Sequence, residues 1–140
     1  MVIEKKFSTL FVCDVILAVI IFARVNVKNT ILSAITPSTS QADANIAMSG
    51  SNWVVILTMI CVSVVIGFMV LSKTKNFKEL ILDIVFIGVV GVLLSVWWKV
   101  LAVTGWGYFC SYQEMMTYVG SFMIGACIVK VIMYLRKRAK

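Results

Sequence analysis

Residues 53–72 read WVVILTMICVSVVIGFMVLS, a run without one charged side chain. About 20 residues at a rise of 1.5 Å each span roughly 30 Å, the thickness of the hydrocarbon core of a bilayer. A backbone in hydrocarbon must satisfy its own N–H and C=O groups, which a continuous helix does. The stretch therefore predicts a transmembrane helix, and the rest of the chain is read outward from it.

Three further apolar runs flank this one. Residues 80–98 follow after a short basic hinge at 73–79 that carries Lys73, Lys75 and Lys78, so spans two and three read as an antiparallel hairpin. Residues 7–25 form the first run and residues 115–135 the last. Lys5 and Lys6 before the first run give it the look of a signal peptide, with Ala42-Asp43-Ala44 as a loose cleavage site. The run is long for such a segment and the site lies far beyond it, so a retained first helix is expected. The composition agrees: of 140 residues 61% are hydrophobic and 14% charged, against roughly 45–50% and about 25% in soluble domains. The expected fold is all-α: a single membrane domain over 1–140, four transmembrane helices in an antiparallel bundle.

The loops differ in character. Residues 26–52 are rich in Asn, Ser, Thr and Ala, hold Pro37, the single proline, and contain a short apolar patch at Ile31, Leu32, Ala34 and Ile35. They read as a long outer loop, and long loops often carry recognition. Residues 99–114 hold Trp106, Tyr108, Phe109 and Tyr112 and read as a second outer loop. With Trp53, Trp97 and Trp98 these aromatics form a belt at the headgroup level.

Charge sets the orientation. The chain has 13 Lys+Arg against 6 Asp+Glu, a net charge of +7. Nine of those cations lie in three flanks on one side: Lys5 and Lys6, the three hinge lysines, and the tail Arg136, Lys137, Arg138 and Lys140. Three, Arg24, Lys28 and Lys99, fall on the other side. Cytoplasmic flanks carry the excess of Lys and Arg, so both termini are expected in the cytoplasm. No basic stripe interleaved with aromatics sits on a soluble module, so nucleic acid is not an expected partner. The Ile, Lys and Asn usage fits a bacterial or phage origin, and a bacterial inner membrane is the expected location.

Several chemistries are excluded. Without histidine, His-ligated haem, His general-base chemistry and the usual zinc sites are absent. No glycine-rich phosphate cradle occurs, and the cysteines at 13, 61, 110 and 127 form no CxxC pair. No metal, no cofactor and no enzymatic activity are expected.

Three ionisable residues lie inside spans: Asp14, Asp83 and Lys130. A charge at the centre of a span costs about 2.5–3.5 kcal/mol on insertion scales, so each requires a reason. Counted from the flanking lysines and arginines, all three fall roughly 8–12 Å into the inner leaflet. The expectation is one cluster that either fixes helix packing or lines a polar path. Small residues four apart occur as Ser63/Gly67, Gly91/Ser95 and Ser121/Gly125, a spacing that lets helix backbones approach closely. On the fourth helix Met116, Met123, Ala126 and Tyr134 share the Lys130 face, whereas Ser121 and Gly125 lie opposite and read as a packing or oligomer face. Arg24, Lys99 and Glu114 gather at the outer span ends and read as a solvated rim.

Two functions compete. The first is a non-enzymatic membrane subunit that acts by protein–protein contacts, as a homo-oligomer or with a membrane or cytoplasmic partner. Exclusion, immunity and defence proteins of mobile elements have this size and topology. The second is a homo-oligomeric channel, a pore-forming lysis protein or a small transporter that uses Asp14, Asp83 and Lys130. Small multidrug transporters are similar in having four helices and one acid in the first span. Their acid is a Glu near mid-membrane, whereas Asp14 is shallower.

Overall fold

The computed structural model describes residues 2–36, 38–103 and 113–139, and for Val2 and residues 97–103 the backbone alone. Pro37, the side chains of Trp97, Trp98 and Lys99, and Trp106, Tyr108, Cys110 and Lys140 lie outside the described residues. The aromatic belt is thus described only at Trp53, which is exposed.

The described chain is all-helical. Helix α1 covers Val2–Ser33 and α2 covers Gln41–Leu71. Helix α3 runs over 77–103 in three consecutive segments: α-helical at Phe77–Asp83, π-helical at Ile84–Val89 and α-helical again at Val90–Val103. Helix α4 covers Gln113–Arg138. Four of these stretches are long and apolar enough to cross a membrane: Ile3–Ser33, Gln41–Leu71, Phe77–Val96 and Gln113–Arg138. At most 33% of the most apolar window of each is buried inside the protein. The rest is outward-facing greasy surface such as Phe22, Val64, Leu71 and Phe122, as lipid solvation requires.

The expected outer loop at 26–52 is corrected. Helix α1 continues to Ser33 and α2 begins at Gln41, so most of the polar stretch is helix and the turn between them is short. Polar composition marks where the chain leaves hydrocarbon, not where the helix stops. The start of α2 is fixed by Ser40, whose hydroxyl accepts the Asp43 N–H at 3.2 Å and donates to the Asp43 carboxylate at 2.6 Å. A serine cap with an acid in the first turn satisfies donors that the first turn leaves unpaired. Helix α2 has 31 residues, about 46 Å, so it projects well beyond a core of about 30 Å.

The core lies where the inner faces of the helices meet. Leu10, Cys13, Leu17 and Ile21 of α1 follow a helical stripe and join Val62, Ile66 and Met69 of α2, Ile87 of α3, and Met115, Val119, Met123 and Cys127 of α4. Helices α3 and α4 meet at glycine. A methyl group on Gly91 would stand 2.9 Å from Met123 Cβ and 3.0 Å from the Gly120 carbonyl oxygen. One on Gly120 would strike the Ser95 hydroxyl and stand 2.5 Å from the Gly91 carbonyl oxygen. Gly88 instead makes room for the Cys127 side chain, whose Sγ would stand 2.9 Å from a methyl group there, and the close backbone approach is at Gly91 and Gly120. Backbone approaches backbone here because no side chain intervenes, which is the gain small residues offer in lipid.

The π-helical turns determine which residues of α3 share that face. Asp83, Ile87 and Gly91 are buried, with Ser95 half-buried next in line. In an unbroken α-helix, 12 residues make about 3.3 turns, so Ser95 would stand roughly 120° from Asp83. The wider π turns between them take up that excess. One stripe can then both place Asp83 in the core and pack its glycine against α4.

Candidate functional site

The chain leaves α2 at Ser72, whose N–H still bonds the Phe68 carbonyl at 3.1 Å, and passes through Lys73, Thr74, Lys75 and Asn76 before α3 begins. Glu79, in the first turn of α3, accepts the Lys75 N–H on Oε2 at 2.9 Å. An acid that reaches back from the first turn holds the hinge close to the helix start and complements its positive end. This folded hinge caps one end of the bundle, and the buried charges collect beneath it.

Asp83 is the centre. It is 0% exposed and accepts three hydrogen bonds: from Lys130 on Oδ1 at 2.7 Å, from Lys6 on Oδ2 at 2.7 Å and from the Thr74 hydroxyl on Oδ2 at 2.6 Å. Lys6 also donates to Thr74 Oγ1 at 3.1 Å and to the Lys73 carbonyl at 3.3 Å, so all three of its donors are used. Glu79 Oε2 lies 3.8 Å from the same ammonium. Lys130 donates in addition to the Ser72 hydroxyl at 2.7 Å, which in turn donates a hydrogen bond to the Met69 carbonyl at 2.8 Å. Two ammoniums face two carboxylates, and Lys6, Glu79, Asp83 and Lys130 are each at most 9% exposed. Burying ions is repaid only when geometry is good and remaining lone pairs and protons are satisfied; here Lys6 engages all three of its N–H groups and Lys130 two of its three among the described residues.

Of the expected trio, the structure joins Asp83 and Lys130 and leaves Asp14 apart. Lys6 takes the place assigned to Asp14. The depth estimate used Lys6 as a surface marker, but Lys6 is itself drawn into the core. Asp14 lies 8 residues farther along α1, roughly 12 Å beyond the cluster level. It is half-buried, and its Oδ1 has no hydrogen-bond partner among the described residues.

Lys6, Thr74, Ser72 and Glu79 were not anticipated from the sequence. One signal was present for Lys6: it extends the i, i+4, i+7 series Leu10, Cys13, Leu17, the buried stripe of α1. Thr74 and Glu79 belong to the hinge, whose fold no spacing rule gives.

Elsewhere the expected residues fall as follows. Ser121 and Gly125 are exposed, and the space a Gly125 methyl group would occupy is open. Met123 and Ala126 are buried on the Lys130 side. Arg136, Lys137 and Arg138 are exposed in the last turn of α4. At the far end the rim is corrected: Glu114 pairs with Lys28 at 4.0 Å, both partly exposed. Arg24 is buried, and its Nε has no partner among the described residues. Exposed pairs such as Lys28–Glu114 contribute about 0–1 kcal/mol. Cys13 and Cys127 are buried free thiols and Cys61 an exposed one. Among the described residues no group of three His, Cys, Asp or Glu is arranged to hold a metal ion.

The cluster therefore ties α1, the hinge, α3 and α4 together through one carboxylate. Its donors and acceptors are engaged chiefly with one another, while Ser72, Thr74 and Lys130 also line a cavity of about 310 Å³ beside the hinge and Lys6 and Glu79 one of about 200 Å³. Compared with known proteins, the chain matches no family model, no curated protein and no solved structure.

Proposed function

We propose that this chain is a non-enzymatic integral membrane subunit that acts through protein–protein contacts in the membrane. In this reading the four helices form an antiparallel bundle in a bacterial inner membrane, with both termini cytoplasmic. The observation that carries it is the internally balanced charge cluster: Lys6, Glu79, Asp83 and Lys130 are matched two against two inside the chain. Charges used this way hold helices in place and leave the outer faces to do the work. The Ser121/Gly125 face of α4, open above Gly125, is the one on which another helix could pack backbone to backbone. Exclusion, immunity or defence at a membrane are roles that suit such a subunit.

The test is the native assembly. Gentle detergent extraction followed by light scattering and identification of bound protein is expected to give a stoichiometric homo-oligomer or hetero-complex. A monodisperse monomer with no bound protein would remove the reading. A second reading rests on one specific observation, the unpartnered Asp14 carboxylate oxygen within the first span. Intramembrane acids mark ion or proton paths by default. A homo-oligomeric channel, lysis pore or small transporter would then show liposome ion flux that Asp14→Asn abolishes. Silence in that assay leaves the contact reading alone.

A further inference from the structure

The cations at the hinge end do not all join the cluster. Between the hinge and the last turns of α4 lies a cavity of about 330 Å³ lined by Lys75, Asn76, Phe77, Tyr134, Lys137 and Arg138. A second, of about 310 Å³, adjoins it through the shared Tyr134 and Lys137, runs along Leu71, Lys73 and Met133, and reaches Ser72, Thr74 and Lys130 of the cluster. Neither lining contains an acidic residue. Asp83 and Glu79, the acids nearest in the chain, are buried and already committed to Lys6, Lys130 and the Lys75 N–H. The side chains of Lys73, Lys75, Lys137 and Arg138 are exposed and form no ion pair among the described residues.

Two properties meet in this groove. One half is a pocket of positive charge with no acid in its lining, to which Tyr134 and Asn76 also contribute. The other half is apolar: Leu71 is 81% exposed and Met133 58%, both at the ends of spans where lipid reaches them. A free anion would use only the first half, and a neutral lipid only the second. A basic pocket between transmembrane helices at the headgroup level is suited to an anionic headgroup, and its long cations can lay their stems on apolar surface while the charged ends reach phosphate.

We propose that this groove is a binding site for one anionic phospholipid of the adjoining leaflet. The phosphate sits among Lys75, Lys137 and Arg138, and an acyl chain lies along Leu71 and Met133. The proposal does not depend on which partner protein the subunit has.

The full chain, purified in detergent, is titrated with phosphatidylglycerol or with phosphatidylcholine of the same acyl chains and followed by native mass spectrometry. The expected result is one saturable phosphatidylglycerol per chain, bound at least tenfold tighter than phosphatidylcholine. Glycerol phosphate at the same concentration should not displace it. Each Lys or Arg near an anionic surface contributes about 1 kcal/mol, or roughly fivefold, so Lys75→Gln/Lys137→Gln/Arg138→Gln should weaken phosphatidylglycerol binding on the order of a hundredfold. Lys5→Gln/Lys78→Gln/Arg136→Gln removes the same charge from the same end but from outside both linings, and should change binding less than threefold. All six side chains are exposed, and far-UV circular dichroism checks that both variants keep wild-type helicity. Equal loss in the two triple variants would reduce the effect to diffuse attraction and overturn the site. Equal affinity for the two lipids, or displacement by glycerol phosphate, would overturn the lipid assignment.

Discussion

Asp83→Asn tests the charge cluster most directly. Asparagine keeps the volume of the side chain, so no cavity opens and packing around Ile87 and Met69 is preserved. What disappears is the one negative charge that both Lys6 and Lys130 contact at 2.7 Å. The amide oxygen can still accept from one ammonium while the amide nitrogen faces the other; beyond it Lys130 keeps the neutral Ser72 hydroxyl, and Lys6 keeps Thr74, a carbonyl and a carboxylate 3.8 Å away. Stranding one buried charge typically costs about 3–5 kcal/mol. Two ammoniums share this carboxylate, but their contributions are coupled and do not simply add. A loss of about 4–5 kcal/mol is expected, a large part of a stability of roughly 5–15 kcal/mol. Unfolding in mixed micelles with increasing dodecyl sulfate, followed by far-UV circular dichroism, measures it. Lys137→Gln, exposed and unpaired, should stay within about 0.5 kcal/mol of wild type. The charge-free quadruple variant Lys6→Met/Glu79→Gln/Asp83→Leu/Lys130→Met, in which the glutamine oxygen can still accept the Lys75 N–H, should recover most of the loss, because neutral replacement of a whole buried network is often tolerated or better. If Asp83→Asn unfolds together with Lys137→Gln, or the quadruple variant is worse than the single, the argument from desolvation fails.

Other outcomes follow from the same structure. Gly120→Ala should cost about 1–3 kcal/mol, because its methyl group meets the Gly91 and Ser95 backbone, whereas Gly125→Ala should be neutral; the same dodecyl sulfate titration compares them. Ser121→Leu combined with Gly125→Leu should shrink the particle seen by multi-angle scattering without changing helicity, since both positions face outward; an unchanged oligomer would remove that face as an interface. Lys130→Ala should destabilise more than Lys137→Ala, and equal thermal midpoints in detergent would count against the Asp83 contact. Reporter fusions at Asn45 and Lys140 should give outer and cytoplasmic signals respectively, and a cytoplasmic signal at Asn45 would reverse the orientation.

The sequence by itself determined that there are four helices of membrane-spanning length and where their apolar runs lie. That much is legible because hydrocarbon imposes a local rule: about 20 consecutive residues must be apolar and helical, whatever surrounds them. The same rule singled out Asp83 and Lys130 as costly and in need of partners. It did not choose the partners. Lys6 looked like a flank marker because a lysine just before an apolar run usually ends in water; only the folded hinge, offering the Lys73 carbonyl, Thr74 and Asp83 at once, makes burial tolerable. Asp14 looked equivalent to Asp83 by depth, yet pairing depends on which side chains converge across helices, and that is a property of their packing. Polar residues at 41–52 resembled a loop because composition reports solvent, while the backbone remains free to continue as helix past the membrane. The π-helical turns at Ile84–Val89 were invisible for a similar reason: nothing in IVFIGV forbids an ordinary helix. The wider turns follow from the need to bring Asp83, Ile87, Gly91 and Ser95 onto one face against α4, a demand that arises only once the helices are together.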